Sequence, residues 1–302
     1  MPERSSIAAE LDEAVDRLER AGLANPRREA TSLWAAVAGG AVKPGDVWLR
    51  REREPEPEVT RRFWEVVERR SSGIPFAYAV GRVGFRTLEL QIDRRALIPR
   101  PETEGLVELV LDWTRRVRRV TGNVRRGGSG GGVVADIGTG CGCIALSLAV
   151  EGAFDRVIAV ERSPQAAQLA RENVARVRPT TPVEVREGDL LAPLAGERCR
   201  VIVANPPYLT SAEFAGLDPS VRRFEPRAAL ESGADGLTAT RALLAGARGL
   251  LEPGGLLALE IDERRAGAVT TLARERGWAR SVVRDDLFGR PRYALAFAGE
   301  DS

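Results

Sequence analysis

Over the first 80 residues, apolar side chains recur at the three- and four-residue spacing of α-helices. Ser5 or Ser6 can cap the first of these helices. Residues 44–46 (PGD) predict a turn, and residues 61–70 predict a further amphipathic helix. The pattern therefore predicts a small helical domain over residues 1–80, and none of its positions suggests catalysis.

Residues 81–98 change to an approximate alternation of apolar and polar side chains, which is the period of a β-strand. The apolar positions are Val83, Phe85, Leu88, Leu90 and Ile92. This segment is predicted to form a β-hairpin that links the helical domain to the rest of the chain.

From residue 133 onward, short apolar runs alternate with helical patterns. The runs are VVADI, RVIAV, VEVRE, RVIVA and LLALEI, with RYALAFA as one more strand near the end. Residues 144–150 predict a helix, and Ser163 followed by Pro164 has the composition of another helix start. The pattern predicts a doubly wound α/β domain over residues 99–302, with a parallel sheet buried on both faces.

Charge changes this picture little. The chain has 45 basic and 43 acidic residues, a net charge of +2, so no strong field attracts nucleic acid and no specific DNA binding is expected. Residues 118–132 (RRVTGNVRRGGSGGG) form a glycine- and arginine-rich stretch that, with Arg115 and Arg116, contains six arginines. Its composition favours a flexible surface loop. We interpret this loop as a solvated linker rather than as a contact site for ribosomal or transfer RNA.

The composition also limits the possible chemistry. Because the chain contains no histidine, Ser-His and Cys-His nucleophiles and the usual zinc sites are excluded, and no metal is expected. Three cysteines, two of them in one glycine-rich turn, argue against a disulfide framework. No apolar run approaches the roughly 20 residues that span a bilayer, and the N-terminus has no signal-peptide pattern. These features predict a cytoplasmic protein without membrane contact.

The segment DIGTGCG, from Asp136 to Gly142, leads from a buried strand into a turn and a helix. Its three glycines allow the backbone to turn sharply and to approach a ligand closely. Their G-x-G-x-G spacing differs from the G-x-G-x-x-G of dinucleotide sites, so a diphosphate is not strongly implied. Asp136, at the strand end, can accept a hydrogen bond from an ammonium group or from the loop amides.

The next two strands also end in acidic residues. Glu161, at the tip of RVIAVE, can accept hydrogen bonds from both hydroxyls of a ribose. Asp189 follows the third strand and can accept from an exocyclic adenine amine, while Leu190 can pack on the ring. Because parallel strands end at one edge of the sheet, these side chains are predicted to converge on a nucleoside-containing cofactor.

The fourth strand ends in the tetrapeptide NPPY, from Asn205 to Tyr208. Two successive prolines fix the backbone, so the Asn205 side chain and the Pro206 carbonyl are held rigidly at the sheet edge. Two adjacent oxygen acceptors suit an –NH2 group, and Tyr208 offers a flat face for stacking a planar group. Accepting both hydrogens raises the electron density on a poorly nucleophilic amide nitrogen. Together with the glycine loop, this predicts an S-adenosylmethionine-dependent methyltransferase acting on a planar amide-type nitrogen.

With these residues, the chain resembles the release-factor glutamine N5-methyltransferases of the HemK/PrmC type. The resemblance covers nearly the full length. NPPY alone is shared with DNA adenine-N6 methyltransferases, whereas the combination of motifs is more selective. The segments that carry it are IPRPETE (98–104), DIGTGCG (136–142), NPPY (205–208), FEPRAAL (224–230), DGL (235–237) and DLFGRPR (286–292).

The resemblance implies a seven-stranded, Rossmann-like class I methyltransferase domain behind a helical domain that docks a class 1 peptide chain release factor. It implies S-adenosyl-L-methionine as cofactor, S-adenosyl-L-homocysteine as product, and methylation of the glutamine in the factor's Gly-Gly-Gln motif, with possible ribosome proximity. The cofactor contacts correspond to Gly138, Thr139, Gly140, Cys141, Gly142, Glu161 and Leu190, beside Asp136, Asp189 and Asn205. The catalytic and substrate contacts correspond to Asn205, Pro206, Pro207 and Tyr208, with Arg100, Glu102 and Thr103 near the reaction centre.

The chain departs from the family pattern at three places. Glu161 stands where the family usually has Asp, Leu190 stands where an aromatic is common, and residues 262–265 (DERR) replace the usual continuation with Gly and Gln. Three alternatives stay open at this point: glutamine methylation of a ribosomal protein, adenine-N6 methylation of DNA or RNA, and a non-catalytic binding module.

Overall fold

The structure, a computed structural model, describes residues 6–39, 42–121 and 131–299. By its internal contacts the chain divides into two compact units. The first contains the residues up to Arg82 together with Pro219–Phe224, and the second contains Val83–Asp218 and the residues from Glu225 onward.

The first unit is helical, as the sequence predicts. Ser6 caps the first helix by accepting a hydrogen bond from the Ala9 amide at 3.2 Å. Its core includes an edge-to-face pair of Trp34 and Phe63, whose ring centroids lie 4.8 Å apart. The helices are α1 (Ile7–Arg20), α2 (Pro26–Ala38), α3 (Pro44–Leu49), α4 (Pro57–Ser71) and α5 (Phe76–Val80), and a later segment adds Pro219–Phe224, α10 in chain order.

The predicted β-hairpin consists of β1 (Arg82–Phe85) and β2 (Leu88–Gln91), and all of it except Arg82 belongs to the second unit. Seven strands of the described chain then form one sheet in the order β5-β4-β3-β6-β7-β9-β8. The five strands from β5 to β7 are parallel, and β9 is antiparallel to both of its neighbours. These strands are β3 (Val133–Ile137), β4 (Arg156–Glu161), β5 (Val183–Glu187), β6 (Cys199–Ala204), β7 (Leu251–Glu260), β8 (Arg280–Asp285) and β9 (Pro291–Phe297).

Helices accompany this sheet, which confirms the predicted α/β architecture. The Ser163 side chain caps α8 by accepting from the Ala166 amide at 3.3 Å, and Pro164 occupies the first helical position as predicted. The helices are α6 (Pro101–Thr121), α7 (Cys143–Glu151), α8 (Pro164–Val177), α9 (Ser211–Ala215), α11 (Thr238–Gly246) and α12 (Ala266–Glu275).

Three local predictions are wrong. Residues 44–46 begin α3 instead of forming a turn, because Pro44 suits a first helical position and the Asp46 carboxylate accepts from the Lys43 amide at 2.9 Å. Residues 118–121 are the last turn of α6 rather than part of a loop, and residues 122–130 lie outside the described residues. The strand β5 is half-exposed, because it lies at the edge of the sheet instead of inside it.

The described helices also bear on membrane contact. None of them combines the length and the apolar composition that crossing a bilayer requires. The three cysteines, all within the described part of the chain, are buried and free of disulfides, as the sequence predicts.

Candidate active site

A cavity of about 480 Å³ opens at the carboxyl edge of the parallel strands. Its wall contains Gly138–Cys141 after β3, Glu161 at the end of β4, Gly188–Leu190 after β5, and Asn205 after β6. Since these strands are neighbours and parallel, residues that follow them meet at one edge although they are far apart in sequence.

The glycine loop between β3 and α7 turns back on itself through left-handed backbone. Gly138 has φ of 72° and Gly140 has φ of 57°, conformations that side chains other than glycine rarely adopt. The amides of Gly138 and Thr139 both donate to the Val160 carbonyl, at 2.9 and 3.0 Å. A Cβ on Gly138 would meet no atom within 4 Å, so this position leaves open space on the cavity side for a ligand.

Asp136 lies beneath this loop and is fully buried. Its Oδ2 accepts from the Thr139 hydroxyl at 2.6 Å and from the Ala145 amide at 3.1 Å. Burial raises the pKa of Asp136 to about 7, and the charge of Glu161 acts in the same direction, against these two hydrogen bonds. The carboxyl group therefore joins the loop to the start of α7, and it is not part of the cavity wall.

Glu161 supports the loop from the cavity side. One carboxylate oxygen accepts from the Gly140 amide and the other from the Ser163 amide, each at 2.9 Å. Both amides fix the orientation of the carboxylate, and each oxygen keeps a further lone pair for a ligand hydroxyl. Glu161 thus places an acidic group in the cavity wall.

The turn after β5 places Leu190 in the cavity wall with its backbone in the left-handed region, at φ of 46°. Leu190 also packs against the core of the sheet, which fixes its side chain. Asp189 lies in the wall but is mainly exposed, 3.8 Å from Arg162 in an ion pair. Of the two, Leu190 has the more rigid surroundings.

Asn205 follows β6 directly and lines the cavity together with Pro207. Its Nδ2 donates to the Thr103 hydroxyl at 3.0 Å, and that hydroxyl donates to Glu260 at 2.7 Å. Pro206 is buried, and burial raises the pKa of the half-buried Tyr208 to about 12. The Tyr208 amide donates to the Leu230 carbonyl at 3.2 Å, so this tetrapeptide is tied to the segment after residue 225.

The predicted residues of the IPRPETE segment have different surroundings. Arg100 lines the cavity and donates to the buried Glu225 carboxylate at 2.7 Å, which also accepts from the Ile98 amide at 3.2 Å. Thr103 is buried between Asn205 and Glu260. Glu102 is outside the cavity wall, and its carbonyl accepts from the Tyr293 hydroxyl at 2.6 Å.

The predicted site residues therefore fall into two groups. Those that line one cavity are Arg100, Thr103, Gly138, Thr139, Gly140, Cys141, Glu161, Asp189, Leu190, Asn205 and Pro207. Those outside its wall are Glu102, Asp136, Gly142, Pro206 and Tyr208.

Sequence reasoning did not find Glu225, Glu260 or the wall segment within residues 226–239. Glu260 had a usable signal, because it is the last residue of a buried strand, as Glu161 is. Glu225 had only its place in FEPRAAL. The segment 226–239 had only the resemblance motifs FEPRAAL and DGL as a signal, and it reaches the cavity through tertiary folding.

The atypical segment 262–265 lies beside this region. Arg265 is buried, donates to the Asp235 carbonyl at 2.8 Å and to the Glu213 carboxylate at 2.6 Å, and pairs with Asp262 at 3.2 Å. A Cβ on Gly236 would lie 2.5 Å from the Arg265 Nε atom, so the two groups pack closely. The segment thus supports the turn next to the wall residue Thr238.

Family models match both parts of the sequence, and relatives match it along nearly its whole length. Residues 10–81 match the family model described as PrmC N-terminal domain, and residues 126–216 match that described as Methyltransferase small domain. A release factor glutamine methyltransferase of Moorella thermoacetica is 42% identical over 294 residues, which cover 96% of this chain and 98% of the relative. One of Deinococcus radiodurans is 40% identical over 286 residues, 95% of this chain and 96% of the relative.

Solved structures share the fold at low identity. The human Mettl16 catalytic domain in complex with MAT2A 3'UTR hairpin 6 is 17% identical and has a TM-score of 0.55, covering 82% of this chain and 84% of that one. The N-terminal domain of human METTL16 in complex with SAH is 16% identical with a TM-score of 0.51, covering 80% and 83%. At this identity the likeness concerns the fold alone.

Proposed function

This chain belongs to the family of release factor glutamine methyltransferases, and we propose that it methylates the glutamine side chain of the Gly-Gly-Gln motif in class 1 peptide chain release factors. The methyl donor is S-adenosyl-L-methionine. One observation carries the proposal: the Asn205 amide, a glycine loop and a strand-end carboxylate all line the same cavity. Methyl transfer requires this arrangement, because the methyl donor and the acceptor amide must bind side by side.

The residues of the cavity fit this cofactor. A volume of about 480 Å³ falls within the range of pockets for drug-sized ligands. The open space at the missing Cβ of Gly138 admits close approach of the amino acid portion, the Glu161 carboxylate accepts ribose hydroxyls, and Leu190 packs on the adenine ring. When bound, the cofactor supplies a methyl group that its sulfonium charge has already activated.

The chain itself positions the acceptor. Asn205 Oδ1 in the cavity wall and the carbonyl of the adjacent Pro206, a residue outside that wall, are proposed to accept the two hydrogens of the glutamine amide. This raises the electron density on the nitrogen and holds it in one orientation. Tyr208 lies outside the cavity wall, next to the wall residue Pro207, and its ring is proposed as a flat face for the planar amide. The nitrogen becomes acidic only after it is methylated, so its proton leaves without an imidazole base, in agreement with the absence of histidine.

The first unit is proposed to dock the release factor. Its helix α3 exposes two large apolar side chains, Trp48 at 62% and Leu49 at 74% of their full areas. The Arg51 guanidinium stacks over the Trp48 ring at 4.1 Å. Exposed aromatic and apolar side chains beside arginine are typical of protein contact sites. Since release factors act at ribosomes, the proposal places the enzyme in the cytoplasm, near the ribosome.

The test is a methyl-transfer assay with S-adenosylmethionine and a purified class 1 release factor, read by mass spectrometry of the Gly-Gly-Gln peptide. We expect one added methyl group on that glutamine and none on a factor with Glu in its place. Transfer to a ribosomal protein or to DNA, but not to the factor, would keep the chemistry and overturn the substrate.

The same assay tests the acceptor site. Asn205→Ala is expected to lower turnover by about 100-fold or more, the usual effect of removing one polar group that stabilises a transition state. Cofactor affinity, measured by calorimetry, should change little, since Asn205 holds the acceptor nitrogen. Unchanged turnover would exclude Asn205 from this role.

A further inference from the structure

Three side chains from separate parts of the second unit form a buried hydrogen-bonded chain that ends at the cavity. Glu260, the last residue of β7, is 1% exposed and accepts from the Thr103 hydroxyl at 2.7 Å. Thr103, in the first turn of α6, is 2% exposed and accepts from Asn205 Nδ2 at 3.0 Å. Thr103 lines the cavity beside Asn205, whereas Glu260 lies outside the cavity wall and reaches the site through Thr103.

The donor and acceptor roles in this chain follow from the number of protons. An ionised carboxylate only accepts, and a threonine hydroxyl has a single proton to donate. The Thr103 proton therefore points to Glu260, and its oxygen lone pair requires an N–H from Asn205. This arrangement distinguishes the two ends of the Asn205 amide and leaves its Oδ1 for the cavity.

We propose that Thr103 and Glu260 are positioning residues that hold the Asn205 amide with its oxygen toward the acceptor nitrogen. The inference rests on the function proposed above. An amide turned by 180° would present an –NH2 group to the –NH2 group of the substrate, two donors that cannot bond to each other. The chain of hydrogen bonds therefore sets the polarity of the acceptor site.

Protonation of Glu260 reverses this polarity. A neutral carboxyl group can donate to the Thr103 oxygen, which frees the Thr103 proton to point at Asn205 and to favour its oxygen there. Burial raises the pKa of Glu260 to about 7, against the hydrogen bond from Thr103. The other groups that interact with Glu260 are Arg100 and Arg292, which favour the carboxylate, Glu102, which disfavours it, and the phenols of Tyr208 and Tyr293.

The first test compares two substitutions of Thr103. Thr103→Val keeps the shape but removes the hydroxyl, and we expect kcat to fall by about 10- to 100-fold, the usual scale for a misplaced catalytic group. The KM for S-adenosylmethionine should stay within about threefold of the wild type. Thr103→Ser, which restores the hydroxyl, should recover most of the lost kcat. A valine variant with wild-type kcat would overturn the proposal.

The second test follows pH. In the wild type, kcat at saturating cofactor should decline as the pH falls through about 7, because Glu260 becomes protonated. Glu260→Gln cannot ionise, but its amide oxygen can still accept from the Thr103 hydroxyl, so its kcat should lack this decline. If Glu260 had a merely structural role, the acidic decline in kcat would stay in place in this variant. The same decline in the glutamine variant would refute the proposed relay.

A third readout needs neither substrate nor cofactor. The side-chain NH2 resonances of Asn205, assigned by their loss in Asn205→Asp, should shift with a midpoint near pH 7 in the wild type and stay constant in Glu260→Gln. If the wild type fails to methylate a release factor but this titration is present, the function proposed above fails and the relay stands. If methylation occurs and the titration is absent, the relay fails alone.

Discussion

Asp136→Asn is expected to change how the stability of the fold depends on pH. Asp136 is fully buried beneath the glycine loop, and its Oδ2 accepts from the Thr139 hydroxyl and the Ala145 amide. Among the described residues, its Oδ1 has no hydrogen-bond partner. The pKa of this carboxyl group rises from 3.8 to about 7, with burial as the main cause. The substitution keeps an oxygen for the two donors and removes the ionisation.

The direction in which stability changes with pH follows from proton binding by Asp136 in the folded and the unfolded chain. Since the folded pKa is above the unfolded value, the folded chain binds the proton more tightly between pH 4 and 7. Asp136 therefore increases the free energy of unfolding most below about pH 4. This contribution declines as the pH rises, by at most about 1.4 kcal/mol per pH unit. Over the full interval the loss is on the order of 2–4 kcal/mol. The chain has no histidine, so no imidazole titrates in this range.

The assay is urea unfolding at pH 5, 6, 7 and 8, followed by tryptophan fluorescence. Between pH 5 and 8 the free energy of unfolding should fall less in Asp136→Asn than in the wild type, by on the order of 2 kcal/mol. Asp93→Asn is the matched control. The Arg95 guanidinium hydrogen-bonds Asp93 and lowers its pKa from 3.8, so this variant should keep the wild-type slope. Parallel curves for Asp136→Asn and the wild type would refute the reasoning.

Two further predictions concern the cofactor side. Glu161→Ala should weaken S-adenosylmethionine binding by about 1–3 kcal/mol, the typical cost of losing a charge-assisted hydrogen bond, and equal affinity by calorimetry would remove Glu161 from the site. Gly138→Ala should destabilise the fold by about 1–2 kcal/mol because φ is 72°, and should reduce cofactor affinity because its methyl group enters the cavity. Gly84→Ala, a glycine with open space and no left-handed backbone, should change neither the melting temperature nor the affinity.

The parallel strands were predictable because their physical signal is local. The central strands β3, β4 and β6 are mostly apolar, as expected for a sheet covered on both faces. The strand β8 was missed, because its sequence RSVVRD lies at a half-exposed edge and has only two apolar residues. The inclusion of Pro219–Phe224 in the first unit has no local signal, since it depends on contacts across more than 130 residues.

The same distinction applies to the candidate site. The positions of Glu161 and Asn205 in one wall follow from strand order alone, because each stands at the carboxyl end of a parallel strand. The contact of Arg100 with Glu225 and that of Thr103 with Glu260 join residues more than 120 positions apart. Such pairings depend on tertiary packing, and the types of the residues alone do not predict them.

Two buried carboxyl groups of this site with raised pKa values, Asp136 and Glu260, serve its two sides. Asp136 holds the glycine loop on the cofactor side, and Glu260 holds Thr103 and thereby Asn205 on the acceptor side. Each has a pKa raised to about 7 by burial, so the ionised form of each costs folding free energy. In the proposed mechanism the ionised form of Glu260 is the one that orients Asn205. The pH range in which the acceptor site has the correct polarity is therefore the range in which these two groups stabilise the fold least.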